Sequence, residues 1–282
     1  MDPINGQTPP ERKERPIPEA WKENPFQAPS APVDDTHDAN AELGLASSPR
    51  SVSFGRGVGW IGEGWSLFRE AMGLWIGIFV VFMLIQMGIG LIPILGGLVN
   101  IFLSLTLSAG LMIGARSLDT GEGLRFDHLF AGFQRNFGQL LLVGLLYLVG
   151  TIVIIVLVVV IFGGALFAAF MGSQGGAGLS GLAPMSILLA VLVAMALLLP
   201  LVMSIWFAPA LVALNDVPAI QAMKLSFFGC LKNFLPFLLY GIVLFILGIL
   251  ALIPIGLGLL LLVPTMICAQ YISYKEIFLE EF

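Results

Sequence analysis

Few residues in this chain have the chemistry for catalysis or metal binding, and they do not gather. The two histidines are His37 and His128. Asp127 adjoins His128, and Asp119 and Glu122 precede it. Metal sites need three or four ligands converging at set spacings. One imidazole among scattered carboxylates does not supply them, so no metal site is assigned. Gly-x-Ser-x-Gly, the turn that exposes a serine nucleophile, is absent. The glycine-rich 172–181 segment lacks the Gly-Lys-Ser/Thr that holds a nucleotide's phosphates. Cys230 and Cys268 lack the paired spacing of a zinc or redox motif and are expected as free thiols. With no nucleophile beside a base, the chain reads as non-enzymatic, with no catalytic residue and no cofactor.

Two other groups suggest binding. Arg69, Arg116, Arg125, Arg135, Lys224 and Lys232 flank apolar segments. There they would meet anionic lipid headgroups, at about 1 kcal/mol each. Their placement is explained equally well if they only fix topology. The hexapeptide Asn24-Pro25-Phe26-Gln27-Ala28-Pro29 reads either as a docking motif for a protein partner or as a composition-biased linker. The formal net charge is -5. That balance does not suit nucleic acid.

The elements that must position these residues follow from where charge is missing. Trp75 to Ala115, Phe137 to Asn215 and Asn233 to Tyr274 contain no ionisable Lys, Arg, Asp, Glu or His. A soluble core shows a face to water and cannot omit charge for so long. A bilayer demands the omission, since Arg, Lys or Asp at a helix centre costs roughly 2.5–3.5 kcal/mol. Backbone groups in lipid must be satisfied within each segment, so the spans are helices. At about 20 residues per span, six are expected, near 74–92, 95–115, 139–162, 186–211, 236–253 and 257–274. Pro93 with Gly96-Gly97, and Pro254 with Gly256, supply two turns. Between the third and fourth spans, the glycine-rich segment from Met171 to Ala183 is expected to break any helix. All thirteen Lys and Arg fall on one side of this arrangement, so both termini are expected in the cytoplasm. Residues 1–57 are rich in Pro and mixed charge and read as a disordered cytoplasmic tail.

The membrane domain, 58–282, repeats itself. Phe130-Ala-Gly-Phe-Gln-Arg-Asn-Phe137 aligns with Phe227-Phe-Gly-Cys-Leu-Lys-Asn-Phe234 at an offset of 97, and Asp119 aligns with Asp216 without a gap. A weaker copy opens at Trp65. Each unit begins with an apolar stripe at helical spacing: Ile61, Trp65, Phe68 and Met72; Phe126, Phe130, Phe133 and Phe137; Met223, Phe227, Leu231 and Phe234. These segments read as interfacial helices lying in the headgroup plane, or as cytoplasmic extensions of the spans that follow. Bends are expected at Gly73, Gly138 and Pro236. The fold class is thus all-α integral membrane, with six transmembrane helices in three amphipathic-helix-plus-hairpin repeats. Polar residues inside the spans, such as Asn100, Thr106, Thr265 and Gln270, suit helix packing, as do Gly73-x-x-x-Gly77 and Gly110-x-x-x-Gly114. A path for a solute is the alternative use.

Gly59-Trp-Ile-Gly-Glu-Gly-Trp-Ser-Leu-Phe68, the Arg-Asn-Phe and Lys-Asn-Phe-Leu-Pro elements, and Phe207-Ala-Pro-Ala-Leu-Val212 together resemble a family of uncharacterised proteobacterial six-span inner-membrane proteins. More distantly, the chain is similar to the membrane domain of bacterial glycerophosphodiester phosphodiesterases. No catalytic domain is expected after the last span, so no esterase activity is carried over. The resemblance implies a bacterial inner membrane. The expected role is a membrane-embedded accessory or scaffold acting through protein partners or lipid. The alternative is a transporter or channel for a neutral or amphiphilic solute.

Overall fold

A computed structural model describes residues 44–93, 95–174 and 182–280. Among them lie nine α-helices: α1 (Arg56–Glu70), α2 (Met72–Gly90), α3 (Leu95–Asp119), α4 (Phe137–Gln174), α5 (Leu182–Trp206), α6 (Ala208–Asn215), α7 (Ala219–Lys232), α8 (Phe234–Leu252) and α9 (Leu259–Phe278). A 3-10 segment, Phe126–Phe133, precedes α4.

Among the described residues, five helical stretches are long and apolar enough to cross a membrane: Met72–Gly90, Leu95–Asp119, Phe137–Gly164, Ile187–Asn215 and Phe234–Leu252. The sixth expected span coincides with α9, which is 20 residues long. Gln270, Ser273, Lys275 and Glu276 make its C-terminal half too polar to count with the others. The hairpins also differ in reach. At 1.5 Å per residue, the 19 residues of α2 rise about 28 Å, close to the roughly 30 Å hydrocarbon thickness. The 38 residues of α4 rise about 57 Å by the same measure. One expectation needs correction here. Met171–Gln174 continue α4, and Leu182 and Ala183 open α5, so both ends of the segment expected to break helix are helical. A single helical glycine costs about 1 kcal/mol, and the turns before it can carry that.

The bends fall two or three residues before the expected positions. Ala71 separates α1 from α2 with φ -136° and ψ 40°. Asn136 precedes α4 with φ 48°, a left-handed conformation that asparagine tolerates better than most residues. Asn233 separates α7 from α8. Gly73, Gly138 and Pro236 instead sit in the first turns of the helices that follow. A proline is tolerated there because the first-turn N–H groups have no partner within the helix.

Small residues make the close contacts. A Cβ on Gly132 would lie 2.0 Å from the Thr106 carbonyl oxygen, and one on Gly110 would lie 2.5 Å from the carbonyl oxygens of His128 and Leu129. The 3-10 segment therefore lies against the backbone of α3. Gly64 brings α1 onto α9, where a Cβ would stand 2.6 Å from the Ala269 nitrogen. Gly57 brings α1 closer still to α8, where a Cβ would stand 2.3 Å from the Pro236 carbonyl oxygen. Of the two glycine pairs expected to pack, Gly110 and Gly114 do so, whereas Gly73 has nothing within 4 Å. The aromatic stripes mostly face away from these contacts. Trp65, Phe126, Phe130, Phe133, Phe137, Leu231 and Phe234 are exposed, and Phe68 is the buried exception.

The described residues reach into the segment read as a disordered tail. Residues 44–57 are held by tertiary partners that composition cannot reveal. Leu45 is buried and forms an antiparallel bridge with Leu279. Ala46 N–H donates to Phe278 O at 2.7 Å, and Arg50 N–H donates to Ile277 O at 2.8 Å. α1 then starts at Arg56.

Candidate functional site at one end of the bundle

Among the described residues, the ion pairs and most long-range side-chain hydrogen bonds collect where α3, α6, α7 and α9 end and where α1 and α4 begin. Glu276 of α9 accepts from Arg56 Nε at 2.7 Å and from the Trp60 indole N–H at 2.6 Å. Arg56 also donates to Glu63 at 2.8 Å. The hydrogen bond to Glu63 raises the Arg56 pKa, partly opposed by burial and aided by Glu276. Asp119, at the end of α3, accepts from Lys275 Nζ at 2.6 Å and from the Tyr271 hydroxyl at 3.0 Å. Lys275 also lies over the Tyr271 ring, 5.7 Å from its centroid.

α6 is buried along all eight residues. A buried helix end leaves carbonyls without intrahelical partners; the side chains of Arg116 and Asn136 meet two of them, and Tyr274 meets the Asn215 side chain beside them. Arg116 donates to Leu214 O at 3.2 Å, Asn136 Nδ2 donates to Val212 O at 3.1 Å, and the Tyr274 hydroxyl donates to Asn215 Oδ1. Asn136 also donates to Asp216 Oδ1. Asn233 acts similarly in another place. Its Nδ2 donates to Arg50 O at 2.8 Å and to Gly229 O at 2.9 Å, and its Oδ1 accepts from Val52 N–H at 2.8 Å.

The six basic residues separate into distinct settings. Arg69 and Lys224 are exposed. Arg125 pairs with Asp127 at 2.7 Å. Lys232 donates to Pro49 O at 2.9 Å. Arg116 and Arg135 come together, lining with Ser117, Thr120 and Glu122 a polar cleft of about 240 Å³ floored by Leu214. His128 is engaged locally, its Nδ1 accepting from the Arg125 N–H at 3.2 Å. The hexapeptide Asn24, Pro25, Phe26, Gln27, Ala28 and Pro29 lies outside the described residues.

A second recess is apolar. Met203, Trp206, Cys230, Phe237, Tyr240 and Gly241 contribute to a groove of about 300 Å³ between α5 and the α7–α8 bend. The Trp206 indole nitrogen is buried without a hydrogen-bond partner among the described residues. Both cysteines are free and buried. Burial pushes the Cys230 thiol up to about 12.

Sequence reasoning passed over Trp60, Asn136, Asn233 and Glu276. A signal for the asparagines was present, because each is the Asn of an aligned Arg-Asn-Phe or Lys-Asn-Phe element. Each stands at a bend and bonds a distant carbonyl.

Fold and composition together define an all-helical integral membrane protein. Over 204 residues the chain is 30% identical to a probable inner membrane protein of Burkholderia thailandensis, covering 70% of this chain and 75% of that protein. The chain belongs to the family of that inner membrane protein. No family model matches the chain, and no solved structure matches it.

Proposed function

We propose that this protein is a non-enzymatic, six-span accessory or scaffold of the bacterial inner membrane, working at its inner surface through protein partners or lipid. The observation that carries this reading is the gathering of ion pairs and side-chain-to-backbone bonds at one end of the bundle. Arg56, Glu63 and Glu276, Asp119 and Lys275, and the anchors of residues 44–52 all lie there. The turn at 253–258 carries only apolar residues and glycine or proline. In this reading α9 completes the sixth span, its polar half shielded against α1 and α3. The three hairpins are copies of one unit, a view supported by the matching roles of Asn136 and Asn233. Both termini face the cytoplasm. The likeness to the membrane domain of glycerophosphodiester phosphodiesterases is a proposal of shared membrane architecture alone.

Crosslinking mass spectrometry in native membranes tests the role. Reproducible crosslinks from lysines at this end to one partner are expected, and none across replicates would overturn the partner arm. A reporter active only outside the cytoplasm, inserted at Gln174, should be active. An inactive reporter there would sink the topology. A second reading, a carrier of an amphiphilic solute, draws on the groove beside Trp206, whose unpaired indole N–H would suit a polar atom at the head of an apolar ligand.

A further inference from the structure

We propose that the cleft of Arg116, Arg135 and Glu122 binds a zwitterionic phosphodiester headgroup, a phosphate with a primary ammonium a few bonds away, as in phosphatidylethanolamine. The inference rests on the membrane reading above and names the lipid.

The cleft holds two guanidinium groups and one carboxylate. A guanidinium has five N–H donors, and Arg116 uses one on Leu214 O. Arg135 is exposed, and no side-chain hydrogen bond or ion pair is found for it among the described residues. Glu122 accepts from the Ser117 hydroxyl at 3.3 Å and pairs with neither arginine. Thr120 donates its hydroxyl proton to Arg116 O at 3.0 Å, so it braces the wall. Two cations and an anion that line one recess without neutralising each other fit a ligand carrying both signs. The planar forks of arginine suit phosphate oxygens, and Glu122 offers an acceptor for an ammonium.

Position favours a lipid over a soluble phosphoester. Arg116 lies near the end of α3 and Arg135 just before α4, and both helices are long and apolar enough to cross a membrane. Lipid phosphates lie at such helix ends. Phe133 and Phe137, two residues to either side of Arg135, line an apolar groove of about 290 Å³ with Phe102 and Leu141. An acyl chain has a place to lie there.

The test is native mass spectrometry of the delipidated full chain in detergent, titrated with phosphatidylethanolamine, phosphatidylglycerol or phosphatidylcholine. Wild type is expected to retain phosphatidylethanolamine about tenfold better than the other two, the scale of one charge-assisted hydrogen bond. Arg135→Gln should weaken retention of both phosphatidylethanolamine and phosphatidylglycerol about tenfold, with Arg135→Lys intermediate. Glu122→Gln should erase the preference for phosphatidylethanolamine over phosphatidylglycerol. Equal retention of the three lipids by wild type, or unchanged retention in Arg135→Gln, would overturn the site. Displacement by soluble glycerophosphoethanolamine at concentrations matching the lipid's would overturn the lipid assignment. Membrane fractionation of the same variants reads the parent proposal separately. All three should stay in the membrane fraction whatever their lipid preference.

Discussion

α3 and α4 are neighbours in the chain, and both are long and apolar enough to cross a membrane, yet they use their surfaces differently. Half of the most apolar stretch of α3 is buried, and none of the corresponding stretch of α4. The difference is in side-chain size more than in polarity. α3 carries Gly110 and Gly114 where the 3-10 segment meets it. The middle of α4 is Val, Ile and Leu, whose side chains are largely exposed. Lipid tails are as apolar as leucine, so hydrophobicity gives no preference for the interior of such a bundle. Close approach of backbones gives it, and that requires small residues. α3 is therefore a post around which the domain packs, and α4 an arm turned toward lipid.

Gly132→Ala tests this contrast most severely. Its Cβ would fall 2.0 Å from the Thr106 carbonyl, and that contact is backbone on both sides. Overpacking of this kind should cost roughly 3 kcal/mol or more, read as a large drop in Tm of the detergent-solubilised protein. On α4, Gly164→Ala meets nothing within 4 Å and should leave Tm unchanged or raise stability by up to about 1 kcal/mol. Similar Tm values for the two variants would erase the distinction between post and arm. The next effect in size concerns the polar end. Asn233→Ala removes two donated bonds and one accepted bond, at about 1–3 kcal/mol. Trypsin should then cut at Arg50 faster than in wild type. Unchanged cleavage would mean that the 44–55 segment is held without Asn233. The smallest effect is chemical. An ordinary thiol ionises as pH passes about 8.5, whereas burial holds Cys230 protonated up to about 12. Alkylation of Cys230 in intact membranes should be slow and should still be accelerating at about pH 10, and a rate that levels off above about pH 8.5 would show a cysteine open to water.

The same physics explains what the amino-acid order discloses. The absence of charge locates five apolar helices, because that requirement comes from the solvent and acts on each segment alone. The amphipathic segments before α2, α4 and α8 are legible for the same reason. Which face of each one packs is not. The stripe Phe126, Phe130, Phe133 reads as an apolar face turned to the membrane interface, but nothing in it names Leu129 and Gly132 as the residues that pack against α3. The anchoring of residues 44–55 depends on Asn233 and on the backbone of 277–280, partners far along the chain. Composition sees only a Pro- and Ser-containing stretch. The cleft was half visible. Arg116 and Arg135 stood out as basic residues beside spans, but pairing them with Glu122 required the turn at Gly121 and Gly123, both at positive φ.

The link between residues 44–50 and 277–280 also sets an order of assembly. Arg50 and Glu280 are 230 positions apart, so their bond closes a loop containing every helix of the domain. A ribosome delivers the first partner before all of these helices and the second after them. Residues 44–50 lack these partners until α9 has been made, so their docking follows synthesis of every helix between. The entropic cost of a loop grows only with the logarithm of its length. Most of that cost disappears once the intervening helices have packed and brought the ends together. Docking of this clasp is thus a readout of completion, since a chain stalled before α9 has nowhere for Leu45 to go.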